Sequence, residues 1–222
     1  MEKYRLRLTL LSDATFGRGD GVAGLIDAEV QHDESGLPFM NGRTLKGLLG
    51  AECADILFGL SQACKDQNAK WLMAGDRLFG RSGAALEGGA ILRIGQACLP
   101  ADLKQALLCD IQNELYTAAD VLDTLTALRR QTAMDEWGVP KENTLRTMRV
   151  ILRGSVFWAD LEFVEPPLEE DMALLAACIK AFRRAGTGRN RGRGRISAEL
   201  LDENGTPVTD NWFDQFRKAV LP

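Results

Sequence analysis

Residues 181 to 200 read AFRRAGTGRNRGRGRISAEL, six arginines (Arg183, Arg184, Arg189, Arg191, Arg193 and Arg195) and four glycines around one loop. Guanidinium forks pair with phosphate oxygens, and glycines let backbone N–H groups come close to them, so the composition suits a polyanion. Three readings compete: a nucleotide-phosphate cradle, a solvated linker, and a nucleic-acid grip built into a fold. A dinucleotide fingerprint needs Gly-x-Gly-x-x-Gly on a turn leading from a strand into a helix. Here Gly186 and Gly188 are followed by Gly192, one residue late, and the local pattern runs from helix to strand. A P-loop ends in Gly-Lys-Ser/Thr, and this loop has no lysine. A disordered arginine–glycine tract is the bland competitor, but this one is short, interior and flanked by regular elements. An ordered loop that grips phosphates through Gly188, Arg189, Arg191, Gly192 and Arg193 is the better reading.

Two more cations, Arg43 and Lys46, stand at the start of a predicted helix, where unpaired amides and the helix dipole favour a phosphate. A solvated helix end with two ordinary cations explains them equally well. The chain has one histidine, His32, in the polar turn VQHDESG. Ser-His-Asp, Cys-His and multi-histidine metal chemistry would all have to use it, and a solvated turn histidine is the simpler reading. The loop aspartates Asp20, Asp27 and Asp33 rank level as candidates for acid chemistry.

Composition sets bounds around these groups. The 222 residues are 45% hydrophobic and 26% charged, with a net charge of −4, ordinary for a globular chain able to bury a sizeable core. The charge is unevenly spread: residues 181–195 hold no acid, whereas EPPLEED at 165–171 holds four. Local field rather than total charge steers a polyanion. No apolar run approaches the ~20 residues that span a bilayer, and the charged N-terminus does not resemble a signal peptide. Five scattered cysteines without a Cys-x-x-Cys pair argue against a zinc site or a disulfide framework. They point to small core hydrophobes in a reducing cytoplasm.

The elements that must position these residues follow from periodicity. YRLRLTLLS at 4–12 alternates Tyr4, Leu6, Leu8 and Leu10 against polar neighbours, a half-buried strand. A long glycine-bearing loop follows, turning at Glu34-Ser35-Gly36. A helix begins near Asn41 or Thr44, with Leu45, Leu48, Leu49, Cys53, Ile56 and Leu57 on one face. After the turn LEGGA, residues 90–99 read as a strand. Residues 101–128 read as a helical insertion, and 144–164 as two strand segments hinged at Gly154. EPPLEEDMALLAACIKAFRRAG is the best helix, acidic at its start, basic at its end and closed by Gly186. RISAELLD makes the last strand, and an amphipathic tail packs Trp212, Phe213 and Phe216 on the core. Without insertions the order is strand–helix–strand–strand–helix–strand, an α+β, ferredoxin-like or RRM-like arrangement.

At this point the motifs resemble a family. GTGRNRGRGRISAEL is similar to the C-terminal glycine-rich signature of the RAMP superfamily of CRISPR-associated proteins. GLPFMNGRTLKGLL resembles the segment leading into that superfamily's first helix. DAEVQHDESGLP, LFGRSGAALEGGAILRI and the region from RRQTAMDEW to WADLEF resemble the repeating backbone subunit of type III effector complexes. The resemblance covers nearly the whole chain. It implies a single RRM-like domain that polymerises along a CRISPR guide RNA, with other effector subunits and copies of itself as partners and no membrane.

The resemblance also assigns roles. Asp27, with Asp33 six residues on, falls on the aspartate that cleaves paired single-stranded target RNA with a divalent metal, Mg²⁺ or Mn²⁺. Arg43 and Lys46 fall on the guide-binding segment, and residues 129–149 on the thumb hairpin, which displaces a nucleotide at intervals. In that hairpin Arg129 and Arg130 would touch backbone and Met134 would wedge between bases. The Asp27 assignment is chemically coherent, since a carboxylate in a glycine-flanked loop can hold Mg²⁺ while substrate phosphates supply further ligands. The rival roles within the superfamily are a guide-binding subunit that does not cut and a guide-processing endoribonuclease working through His32. A general RNA-binding module is the rival outside it.

Overall fold

A computed structural model describes residues 3–19, 21, 26–63, 68–80 and 89–221. Asp20, Cys64 and most of the LEGGA turn lie outside the described residues. The organising strand is β1 (Tyr4–Leu10), whose burial alternates with every second residue. Leu6, Leu8 and Leu10 point into the core, each contributing about 1.5–3 kcal/mol by burial. On either side β1 pairs antiparallel with β5 (Val156–Phe163) and β6 (Ile196–Leu201), and β5 pairs antiparallel with β2 (Leu92–Ile94). The strand order β2-β5-β1-β6 is that of the ferredoxin-like fold, so the predicted arrangement is the observed one.

Helices cover one face of this sheet. α1 (Gly42–Ala63) begins right after Asn41 and buries Leu45, Leu49 and Cys53. α5 (Glu169–Ala181) lies between α1, α2 (Asn68–Phe79) and α6 (Thr209–Val220), and every residue from Met172 to Ile179 is buried. Its first turn is tied down by Asp171, whose Oδ2 accepts the Leu168 N–H at 2.9 Å and pairs with Arg77 at 2.9 Å. Burial pushes the Asp171 carboxyl up despite these partners. The tail packs as expected, with Phe216 buried against Trp71 and Trp212 and Phe213 at the core's margin. Cys53 and Cys178 are buried core thiols, but Cys98 is only half-buried and Cys109 is exposed, so the core role holds for two of the four described cysteines.

Three expectations about the elements need correction. The strand predicted over 90–99 is regular only at Leu92–Ile94. After it Gly95 donates to Asp160 O at 2.9 Å, and residues 97–98 split their bonds between Met40 and Trp158. The helical insertion forms, as α3 (Ala101–Gln112) and α4 (Ala118–Leu125). They are separated by a turn with Glu114 at positive φ, and a Thr117–Asp120 capping box restarts the chain. Residues 126–128, predicted helical, instead open β3 (Thr126–Gln131), which pairs antiparallel with β4 (Arg146–Ile151) in a second, two-stranded sheet. β4 therefore does not join the main sheet; Gly154, at φ +88°, turns the chain between β4 and β5.

The third correction concerns the glycine loop. α5 stops at Ala181, not Gly186, because the next backbone groups enter a ladder with the loop's far end. Ile196 N–H donates to Arg183 O at 3.0 Å and Ala185 N–H to Gly194 O at 2.8 Å. The loop is clamped across the end of β1: Thr187 N–H donates to Thr15 O at 2.9 Å, and Gly194 N–H to Asp13 O at 2.8 Å. A Cβ at Gly194 would sit 1.9 Å from Ala185 O, and φ there is +67°. Gly194→Ala is expected to destabilise the protein by about 2–3 kcal/mol, read as a lowered denaturant midpoint at unchanged slope. Gly192→Ala, whose Cβ would meet nothing within 4 Å, should cost about 1 kcal/mol through φ alone.

Candidate nucleic-acid interface

The second sheet and the glycine loop face each other. Pairing in the hairpin sets Arg129 opposite Met148 and Gln131 opposite Arg146, so alternation puts these four side chains on one face. The glycine loop approaches that face, with Arg193 Nη1 against Met148 Sδ. Its centre is a single 3₁₀ turn, Arg189–Arg191, bounded by Gly188 at φ +72° and Gly192 at φ +79°. Both glycines hold left-handed conformations that other residues avoid. Arg184 braces the turn by donating to Arg189 O at 3.0 Å.

Between the hairpin and the loop run two clefts. One, of about 420 Å³, is lined by Ser12, Asp13, Arg129, Arg153 and Arg193. The other, of about 510 Å³, is lined by Gln131, Thr132, Asn143, Thr144 and Arg146. Arg191 lines both, so they form one trough. Asp13 is the sole acid among the described residues lining it, and it is already engaged. Its Oδ2 accepts from Arg129 Nε at 3.0 Å and Nη2 at 2.8 Å, and its Oδ1 from Arg153 N–H at 3.1 Å. A bidentate pair of this kind fixes the guanidinium plane.

Asp27 lies on the other edge of β4. Its N–H donates to Thr147 O at 2.7 Å, and its Oδ2 accepts the Thr147 N–H at 2.7 Å. Ala28 continues alongside in parallel, accepting the Arg149 N–H at 3.0 Å. Gly21 backs this segment: a Cβ there would come within 2.0 Å of Ile26 O and 2.8 Å of Asp27 O. Beneath lies a buried ion pair, Arg149 Nε to Glu29 Oε1 at 3.0 Å, the side chains only 13% and 7% exposed. Arg149 also donates to Asp123 Oδ1 at 2.5 Å and Thr126 Oγ1 at 3.1 Å. One guanidinium thus joins the Asp27 segment, β4 and the end of α4.

The structure brings Arg129, Arg191, Gly192 and Arg193 together in the trough; Gly188 and Arg189 belong to the same turn but line neither cleft, and the Arg189 charge acts on Glu52 of α1. Other predicted residues lie elsewhere. Arg130 is on the opposite face of the hairpin, opposite Thr147. Met134 is 58% exposed at the hairpin tip, beside Trp137 at 82%. Asp135 organises that tip, its Oδ1 accepting from Trp137 N–H at 2.9 Å and Val139 N–H at 2.8 Å. Arg43 is exposed on the first turn of α1. Lys46 is spent structurally: its Nζ donates to Leu92 O at 2.7 Å on the open edge of β2. Burial and then the Arg93 charge lower its pKa.

Asp33 Oδ1 accepts Ser35 and Leu37 N–H groups at 3.0 Å, an Asx turn, and its Oδ2 pairs with Lys104 at 3.4 Å. His32 Nδ1 lies 2.9 Å from Asp33 O. Both residues shape the turn. The residues that sequence reasoning missed are Asp13, Arg146, Arg149, Arg153 and Glu29. An alternation count over RTMRVI places Arg146 and Met148 on one face and Arg149 on the other, which is the available signal.

Among the described residues no three His, Cys, Asp or Glu side chains are grouped to hold a metal ion. Asp27 would supply one carboxylate oxygen, Oδ1, the other being held by Thr147. The donor set suits an ion shared with RNA phosphates, not a metal centre made by the protein alone.

The RAMP superfamily model matches residues 7–197. The chain belongs to the RAMP superfamily. No curated protein matches it. Among solved structures, this RAMP chain is similar to a chain of a type III-B Cmr-beta complex bound to cognate target RNA. The TM-score is 0.60 at 12% identity, covering 95% of this chain and 98% of that one. A chain of the same complex in its apo state gives 0.58 at 14% identity, covering 90% and 98%. At such identities the likeness establishes the fold. Among the described residues of the RAMP protein no helix is long and apolar enough to cross a membrane.

Removing Glu29 leaves the largely buried Arg149 guanidinium with only the exposed Asp123 carboxylate as its counter-charge. Glu29→Ala is expected to destabilise the RAMP fold by about 3 kcal/mol. Asp123→Ala, whose carboxylate is 70% exposed, should cost under about 1 kcal/mol; equilibrium urea unfolding of both variants checks the ordering.

Proposed function

We propose that this chain is a backbone subunit of a type III CRISPR effector complex, working in the cytoplasm. It holds a guide RNA in the trough between hairpin and glycine loop and cuts the paired target RNA at Asp27. The observation that carries the reading is the trough itself. Arg129, Arg153, Arg191 and Arg193 converge there, with Arg146 further along, and Asp13, the one acid among the described residues lining it, is paired. Superfamily membership and the likeness to Cmr-beta chains support the setting, and imply further effector subunits and copies of this chain as neighbours.

The lining suits any guide sequence. It offers guanidinium groups and backbone amides to phosphates, and no aromatic ring is among the described residues that line it. In cleavage Thr147 N–H fixes Asp27 Oδ2 and Gly21 leaves room for the Asp27 peptide, so Oδ1 is presented in one orientation. Mg²⁺ or Mn²⁺ bound there would polarise the scissile phosphate and promote attack by an adjacent oxygen. A non-catalytic guide-binding subunit is the second reading. It is favoured by the absence, among the described residues, of any group of three His, Cys, Asp or Glu side chains that could hold a metal ion.

Two experiments test these points. Arg189→Ala with Arg191→Ala should flatten the plot of log affinity for single-stranded RNA against log salt by about 0.7 for each phosphate left without its cation; an unchanged slope overturns the grip. Asp27→Asn should abolish metal-dependent target cleavage by the assembled complex while guide binding stays intact. Undiminished cutting assigns the chain to the second reading.

A further inference from the structure

A carboxylate is out of place in a groove for phosphates. Asp13 lines the inner cleft of about 420 Å³, where its negative charge repels every phosphate that enters. Holding Arg129 accounts for only part of it. Oδ2 accepts two bonds from that guanidinium, whereas Oδ1 accepts only the Arg153 N–H at 3.1 Å. An ionised carboxylate has about four acceptor sites, so one on Oδ1 is unused, and 22% of the side chain stays exposed. Ser12, next to it, is in the complementary state. Its Oγ accepts the Arg195 N–H at 2.9 Å, and among the described residues its own hydrogen has no acceptor. Leu11, 51% exposed, adds an aliphatic wall to the same cleft. A free acceptor, a free donor and an apolar surface thus stand together. Arg153 and Arg191 line the cleft with them, their guanidinium groups unbonded among the described residues.

We infer that the inner cleft selects ribose over deoxyribose. Asp13 Oδ1 accepts the 2′-hydroxyl hydrogen of one nucleotide, and Ser12 Oγ donates to that hydroxyl's oxygen. Leu11 covers the carbon face of the sugar, and Arg153 and Arg191 take the flanking phosphates. The carboxylate needs a donor from its ligand, and a phosphodiester has no hydrogen to give. Base N–H groups have one, but a carboxylate bonded to them reads the sequence, whereas this trough must take every guide. The 2′-hydroxyl is the donor that remains, present throughout RNA and absent from DNA. Asp13 is then a specificity residue. Its charge disfavours both nucleic acids, and its hydrogen bond compensates RNA alone. This inference rests on the RNA-binding reading and adds to it a choice between two sugars, which phosphate pairing cannot make.

Equilibrium binding of the full chain to three single-stranded oligonucleotides of one sequence tests this: RNA, DNA, and RNA fluorinated at every 2′ position. Fluorine keeps the ribose pucker but donates no hydrogen bond. The wild-type chain is expected to prefer RNA to each of the others by about tenfold, the worth of one hydrogen bond to a charged group. Asp13→Asn, which removes the charge at constant volume, should tighten DNA and fluorinated RNA severalfold and leave RNA nearly unchanged, so the preference shrinks. Asp13→Glu, which keeps the charge and displaces the oxygen, should weaken RNA severalfold and leave DNA nearly unchanged. A residue that only orients Arg129 or only repels phosphates would shift all three ligands by one factor, and that result overturns the ribose site. So does a wild-type chain that binds RNA and fluorinated RNA equally; the grip then stands. A wild-type chain that binds none of the three overturns both.

Discussion

The pair of Arg149 and Glu29 is the interaction on which the functional half of the molecule depends. Two charges removed from water are costly unless they meet each other with good geometry, and here the 3.0 Å pairing is backed by Thr126 and Asp123. Its partners come from three places in the chain: the long first loop, β4, and the junction of α4 with β3. The pair thereby fixes which side of β4 the loop lies on and, through Thr147, which way the Asp27 carboxylate faces. The first loop looks irregular as sequence, yet its residues Asp27 and Ala28 run as a strand-like edge of the hairpin sheet. A movement of the hairpin carries Asp27 with it.

The main sheet has a different basis. β1 lies between β5 and β6, and its apolar side chains are wholly buried against α1 and α5. The glycine loop is closed over the end of this strand by bonds to Asp13 and Thr15. The trough thus has one wall anchored in the ferredoxin-like core and the other in the hairpin. Asp13 crosses between them, bonding Gly194 through its carbonyl and Arg129 and Arg153 through its carboxylate.

The ferredoxin-like order could be read from the chain because its strands alternate strictly. Tyr4, Leu6 and Leu8 answer Leu161, Ala159 and Phe157 across one buried face. The hairpin's first strand could not. TALRRQ has no clean alternation, and its alanine, leucine and arginines favour helix; pairing with β4 decides the outcome. α2 escaped for a related reason, since Leu72 and Met73 are exposed beside the buried Trp71, Ala74 and Leu78 and blur the stripe. At the site, the glycine loop's arginines were legible from composition. Their companions Arg146 and Arg153 lie on a distant stretch of chain that only the fold brings alongside. Lys46 shows the converse: a motif position can hold a cation whose charge is used to close a sheet edge.

The Asp13–Arg129 pair has a consequence for how the trough meets a polyanion. The carboxylate is a resident counterion, covalently part of the chain and unable to diffuse away. The field beside it is weaker than the arginines alone would make it. Arg129, Arg153, Arg191 and Arg193 set against Asp13 still leave that cleft three positive charges, and its neighbour, with Arg146 and Arg191, has two. The carboxylate thus fixes the direction of one guanidinium without reversing the sign of the field.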